Sequence, residues 1–134
     1  MRHALNPKEV GRLLRLFLSA RLDVRFRPEH QYLVALNERG LLIGGIYYEV
    51  EEGGRAAHLE KIVVAERYRK KGVADGLMHE FLNRLRSAGA RTVTTGFFRP
   101  EYFYGYGFRI EKRFAGLVKD LSESVTDDAA LPRP

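Results

Sequence analysis

The sequence predicts an α+β domain: a mixed, mostly antiparallel sheet flanked by helices. Three observations predict it. Strand-like and helix-like segments alternate along the chain instead of forming separate blocks. The stretch "QYLVALNERGLLIGGIYYEVEEGG", residues 31–54, reads as a β-hairpin, which pairs its strands antiparallel. One strong helical pattern, Val73 to Ser87, lies between two extended runs and is the one place where a crossover permits a parallel pair.

Each element follows from local chemistry. Met1 to Leu5 reads as a short first strand. "NPKEV" supplies an N-cap at Asn6, Pro7 at the first helical position and Glu9 in the first turn. Val10, Leu13, Leu14, Phe17 and Leu18 then recur at helical spacing, so a helix is expected from Pro7 to about Leu22. Tyr32 to Leu36 is the first hairpin strand, Asn37 to Gly40 its turn and Leu41 to Val50 the second strand. Gly44 and Gly45 inside that strand point to a bulge or a close backbone approach. "AAHLEKIVV" is extended. In the following helix Val73, Leu77, Phe81 and Leu85 recur every four residues, and Gly89 stops it. Residues 91–98 form a short strand, Pro100 opens a short helix, and Phe108 to about Leu121 is one strand or two. Residues 1–121 are read as a single domain and 122–134 as a polar tail or loop.

Composition narrows the function classes. The chain has 134 residues, 45% hydrophobic and 30% charged, which suits one domain with a real core and argues against disorder. It has no cysteine, which excludes disulfides, thiolate zinc sites and a cysteine nucleophile, and fits a reducing compartment. No apolar run approaches the roughly 20 residues of a membrane span. Arg15 interrupts Leu13 to Leu18, and Lys8, Glu9 and Arg12 break any signal peptide, so a cytoplasmic protein without a membrane partner is expected. The net charge of +6 favours anionic partners, which include nucleic acid and phosphorylated ligands. The basic residues are scattered and no recognition helix rich in Arg and Asn is present, which disfavours nucleic acid.

The stretch "YRKKGVADG" sets Arg69, Lys70 and Lys71 before a helix whose N-terminus is already partly positive. A bound polyanion offsets that cost. An extended segment, a basic loop, Gly72 and a helix start together form a phosphate cradle, with small Ala74 leaving room beside it. Neither a Walker loop nor a dinucleotide fingerprint is present.

"LEKIVVAERYRKKGVADGLMHEFL" resembles the acyl-CoA-binding motif of the GNAT superfamily of N-acetyltransferases, Gln/Arg-x-x-Gly-x-Gly/Ala after a strand. Arg69, Gly72 and Ala74 occupy its fixed positions, and "YFYGYGF" resembles the family's second signature, an aromatic helix ending in Gly-Phe. The order of elements is similar over residues 1 to 118. The resemblance implies acetyl-CoA as donor, with its pyrophosphate on the backbone N–H groups of Arg69, Lys70, Lys71, Gly72, Val73 and Ala74. It implies that the backbone of Ile62, Val63 and Val64 pairs with the pantetheine arm, in a slot opened where that strand splays from its parallel neighbour, 91–98.

Acetyl transfer to an amine requires a base, because an aliphatic ammonium with pKa near 10 is almost all protonated at neutral pH. His58 and Glu60, two apart on a strand and so on one face, are the candidates, and the resemblance leaves both registers open. The family's usual tyrosine acid falls on Phe103 here, so Tyr104 or Tyr102 would reach the sulfur, or no side-chain acid is used. Phenylalanine at that slot is similar to amino-acid acetyltransferases of the N-acetylglutamate synthase type. Arg21, Arg25 and Arg27 are candidate clamps for an acceptor carboxylate, and only one of Tyr47 and Tyr48 can face the site. The expected activity is acetyl transfer to a primary amine of a small molecule. The alternatives are a protein or peptide N-acetyltransferase, a non-catalytic CoA-binding domain, or a basic nucleic-acid-binding module. No metal is expected, and a homodimer is an open option.

Overall fold

The computed structural model describes residues 1–4, 6–96, 99–111 and 114–121. The expected tail, 122–134, lies outside the described residues, as do Phe97 and Phe98 of the strand expected over 91–98. Seven strands form one sheet in the order β1-β2-β3-β4-β5-β7-β6. They are β1 (Arg2–His3), β2 (His30–Leu36), β3 (Leu42–Glu51), β4 (Ala56–Val64), β5 (Thr92–Thr95), β6 (Arg109–Ile110) and β7 (Leu117–Asp120). The helices are α1 (Pro7–Ser19), α2 (Val73–Ser87) and α3 (Pro100–Tyr104). The β4–β5 pair is parallel, and β1–β2, β2–β3, β5–β7 and β6–β7 are antiparallel. This is the α+β architecture that the sequence predicts, with the parallel pair on either side of the α2 crossover.

The described residues group into two compact units, Met1–Glu49 with Glu60–Asn83, and Val50–Leu59 with the chain from Arg84 onward. In the first unit the Asn6 carboxamide accepts a hydrogen bond from Glu9 N–H at 3.0 Å and caps α1, with Pro7 next. Arg2 grips the Glu9 carboxylate with both terminal nitrogens, at 2.8 and 2.6 Å, and so ties β1 to α1. The helix ends at Ser19, three residues short of the expected Leu22. Arg21 adopts φ +61°, Leu22 N–H reaches Phe17 O at 3.1 Å and Arg21 N–H reaches Leu18 O at 2.9 Å. That is a Schellman stop with arginine where glycine is usual, so the sequence carries no visible signal for it.

The β2–β3 turn is closed by Asn37, whose Oδ1 accepts the Arg39 and Leu41 N–H groups, both at 2.9 Å. The register passes from Ala35↔Gly44 to Leu36↔Leu42, leaving Ile43 as an extra residue. Both expectations for the glycine pair hold. A β-carbon on Gly45 would stand 2.5 Å from Leu13 Cδ1, and one on Gly44 would stand 2.9 Å from the Val63 carbonyl. The core of this unit is Leu13, Phe17, Val34, Tyr47 and Val63.

In the second unit β5 lies between β4 and β7. The buried Thr95 hydroxyl donates to Leu59 O at 2.9 Å, at the last pair of the β4–β5 register. The α2 helix stops as expected: Gly89 has φ +95°, Ala90 N–H bonds Leu85 O and Gly89 N–H bonds Arg86 O. The segment after Phe108 resolves into two short strands, β6 and β7. No described helix is long and apolar enough to cross a membrane.

Candidate active site

Two groups of residues in the first unit carry chemistry. The first is the basic loop between β4 and α2. A 3-10 turn, Glu66–Tyr68, follows β4. Lys70 then takes φ +61° and Gly72 φ +85°. A lysine at positive φ is sterically costly, and such strain collects where backbone geometry serves a ligand. Left-handed residues alternating with right-handed or extended ones turn successive N–H groups toward one concavity, the form that binds anions. Gly76 N–H donates to Gly72 O at 2.9 Å, so the amides of Val73, Ala74 and Asp75 precede the helix's own bonding pattern. Arg69, Lys70, Lys71 and Gly72 are exposed, and nothing lies within 4 Å of where a Gly72 β-carbon would stand. The loop is braced from behind: Arg69 Nε donates to Val64 O at 2.9 Å, Asn37 donates to Tyr68 OH at 3.1 Å, and Lys71 Nζ lies 5.9 Å from the Tyr68 ring centre. Ile62, half-buried, and Val63 and Val64, buried, lead into it. The β4–β5 register ends at Leu59↔Thr95, and β4 runs on through Glu60–Val64.

The second group lies across β2, β3 and β4. His30 stands opposite Glu49 in the β2–β3 register, and Glu60 is on the neighbouring strand. The side chain of His30 is only 1% exposed. Arg27 N–H donates to His30 Nδ1 at 3.0 Å, and His30 N–H returns a bond to Arg27 O at 3.0 Å. Because Nδ1 accepts a main-chain N–H, the neutral ring carries its proton on Nε2, which donates to Glu60 Oε2 at 3.2 Å. The 3.4 Å approach of Arg27 Nη2 to Nε2 is then a contact between two donors. Arg27 Nη2 donates to Glu49 Oε1 at 2.5 Å and lies 3.8 Å from Glu60 Oε2. Tyr47, beneath this group, meets His30 edge to face at 4.9 Å and accepts the Arg25 N–H at 3.4 Å. Burial pushes the Tyr47 phenol above its ordinary pKa, and the charges of Glu60 and Asp23 add to the rise. The Arg25 N–H and the Arg27 charge pull the other way.

His30, Glu49 and Glu60 each offer a ligand atom, all within 4.8 Å of one another. A metal-binding imidazole donates its second N–H outward. His30 instead accepts there, and Arg27 Nη2 already lies against both carboxylates.

The sequence candidates fall in three places. Glu60 joins the His30 group, whereas His58 belongs to the second unit, where its Nδ1 lies 2.7 Å from Thr94 Oγ1. Arg25 is exposed and engages Tyr47 through its main chain. The guanidinium of Arg27, proposed as a carboxylate clamp, is held by acids. Tyr47 and Tyr48 take opposite faces: Tyr48 OH donates to Gln31 Oε1 and its ring meets Phe81 edge to face at 4.9 Å. In the second unit Phe103 is buried against Phe108, and Tyr104 on α3 is 45% exposed. His30 and Glu49 escaped sequence reasoning. The only signal was the hairpin register, which sets them opposite each other once the turn is fixed.

Residues 1–102 match the model of the acetyltransferase (GNAT) family. Among solved structures, the chain is similar to GCN5 of Tetrahymena, with a TM-score of 0.73, 17% identity, and coverage of 99% of this chain and 88% of that one. It is also similar to an acetyltransferase of the GNAT family from Staphylococcus aureus Mu50, with a TM-score of 0.70, 16% identity and coverage of 87% and 96%. Ard1 of Thermoplasma volcanium gives a TM-score of 0.66, 20% identity and coverage of 80% of each chain. At these identities the likeness is one of fold. No curated protein matches the sequence.

Proposed function

The chain belongs to the GNAT acetyltransferase family, whose donor is acetyl-CoA, and from that premise we propose that it acetylates a primary amine of a small cationic molecule, with Glu60 as the base. The observation that carries the reading is the Glu60 carboxylate. It is oriented by a buried histidine N–H, stands beside a second carboxylate, and lies on β4 just before the segment that leads into the basic loop.

The residues present fit the donor. The N–H groups of Lys70 to Ala74 would take its pyrophosphate, the expected Arg69 N–H being bonded instead to Glu66 O at 3.2 Å, with the cations at 69, 70 and 71 adding attraction. The backbone of Ile62 to Val64, beyond the end of the β4–β5 register, would pair with its pantetheine arm. Acetyl-CoA supplies the thioester carbonyl that the amine attacks. Glu60 takes the proton whose removal frees the acceptor nitrogen's lone pair; the C–N bond then forms, the C–S bond breaks, and the sulfur leaves as a thiolate that picks up the second proton shed by the nitrogen. Glu49 and Glu60 already hold the Arg27 guanidinium, which supports an acceptor bound through positive charge. An amino-acid acceptor would need a cation for its carboxylate; the Arg27 guanidinium is engaged, which leaves the exposed Arg25 as a clamp the sequence named.

The test is a panel of amines incubated with acetyl-CoA, reading released thiol, with diamines, amino acids and peptides side by side. The reading expects turnover with cationic small amines and its loss in Glu60→Gln. Turnover confined to peptides or to amino acids would overturn the acceptor assignment, and full activity in Glu60→Gln would overturn the base.

A further inference from the structure

Resting on Glu60 as the base, we infer that His30 is a positioning residue that fixes the orientation of the Glu60 carboxylate, through a tautomer set by the main chain of Arg27. The side chain of His30 is 1% exposed, so its two nitrogens must find partners inside the protein. Both do. Nδ1 accepts the Arg27 N–H at 3.0 Å and Nε2 donates to Glu60 Oε2 at 3.2 Å. A backbone N–H can only donate, so the ring is held as the Nε2–H form. A second proton on Nδ1 would meet the Arg27 N–H donor to donor. His30 therefore does not take the substrate proton onward. It holds one carboxylate oxygen, Oε2, with a fixed N–H.

The ring itself cannot tilt away. It stands edge-on to Tyr47 at 4.9 Å, and the Arg27–His30 turn is closed in both directions by hydrogen bonds. The Nε2 bond reaches from β2 across β3 to the base on β4.

Two substitutions separate these roles. Asparagine places an acceptor near Nδ1 but is too short to reach Glu60. Glutamine extends an N–H donor toward the Nε2 position and gives up the Nδ1 acceptor. The inference expects His30→Asn to melt near the parent and to keep its KM for acetyl-CoA while kcat falls about ten- to a hundredfold, the scale of a misplaced catalytic group. His30→Gln should recover most of that loss. Parent-like kcat in His30→Asn, with kcat reduced in Glu60→Gln, would overturn the role of His30 and leave the base standing. Undiminished kcat in Glu60→Gln would overturn the base assignment itself. Equal kcat losses in both His30 variants, tracking equal drops in Tm, would mark a structural role and overturn the inference. Should neither variant fold, nitrogen-15 spectra of the histidines in the parent protein decide. An Nε2–H ring whose signal moves on Glu60→Gln supports the inference, and an Nδ1–H ring overturns it.

Discussion

Replacing Glu60 by glutamine and by alanine separates its chemistry from its structural role. Glutamine keeps the shape and an oxygen that can accept from His30 Nε2–H, but it cannot take a proton. The lost charge faces Arg27, whose guanidinium lies 3.8 Å away, is 52% exposed, and stays bound to Glu49. A pair so exposed contributes at most about 1 kcal/mol. Glu60→Gln should therefore lose under about 1 kcal/mol of stability, while kcat falls about 10²–10⁴-fold with the base. Glu60→Ala loses the same chemistry and also strips the acceptor from a buried imidazole N–H, which costs about 1–3 kcal/mol. Urea midpoints read the stability difference, and thiol release at saturating acetyl-CoA reads kcat. Equal stability of the two variants would refute the buried His30–Glu60 bond, and a kcat loss below about tenfold in both would refute the proton transfer.

Other consequences follow from particular contacts. Gly45→Ala puts a β-carbon 2.5 Å from Leu13 in the core, and should cost about 1–3 kcal/mol in urea unfolding; a neutral change would mean that Leu13 is not seated there. Gly72→Glu should abolish CoA binding by calorimetry, because a carboxylate enters the concavity, while the fold survives a strain of about 1–2 kcal/mol from a side chain at φ +85° with nothing else within 4 Å; unchanged affinity would remove the loop from the donor site. Tyr47 and Tyr32 both have phenol pKa values raised above the ordinary value, chiefly by burial. Each raised phenol contributes stability that is complete below the unfolded pKa of about 10 and is lost as pH rises toward the folded value. Stability should thus decline above about pH 10, with phenolate absorbance from these two tyrosines appearing later than from exposed ones, and earlier ionisation would contradict their burial.

How much of this could be read from the sequence depended on whether the signal was local. The α2 helix carries its own period and a glycine stop, and its limits were legible to the residue. The α1 helix ends in the same hydrogen-bonded motif with Arg21 at the left-handed position, so a reader waiting for glycine runs on to Leu22. The paired glycines in β3 announced both the bulge and the close approach of Leu13. The basic loop was legible because its cations and Gly72 are contiguous. The group around Glu60 was half legible: Glu60 and Arg27 were named, but His30, Glu49 and the captive state of Arg27 arise from strand register and from neighbours far apart in sequence. The Arg27 guanidinium, read as a clamp for carboxylates of a substrate, already has carboxylates of its own.

The central claim is that the main-chain amides beginning the α2 helix receive the donor's diphosphate. An amide NMR titration of the folded protein with coenzyme A tests it most directly. The account predicts saturable shifts concentrated on the N–H groups of Lys70 to Ala74, and their absence in Gly72→Glu. Binding that leaves those five amides unmoved while shifting others elsewhere would contradict it.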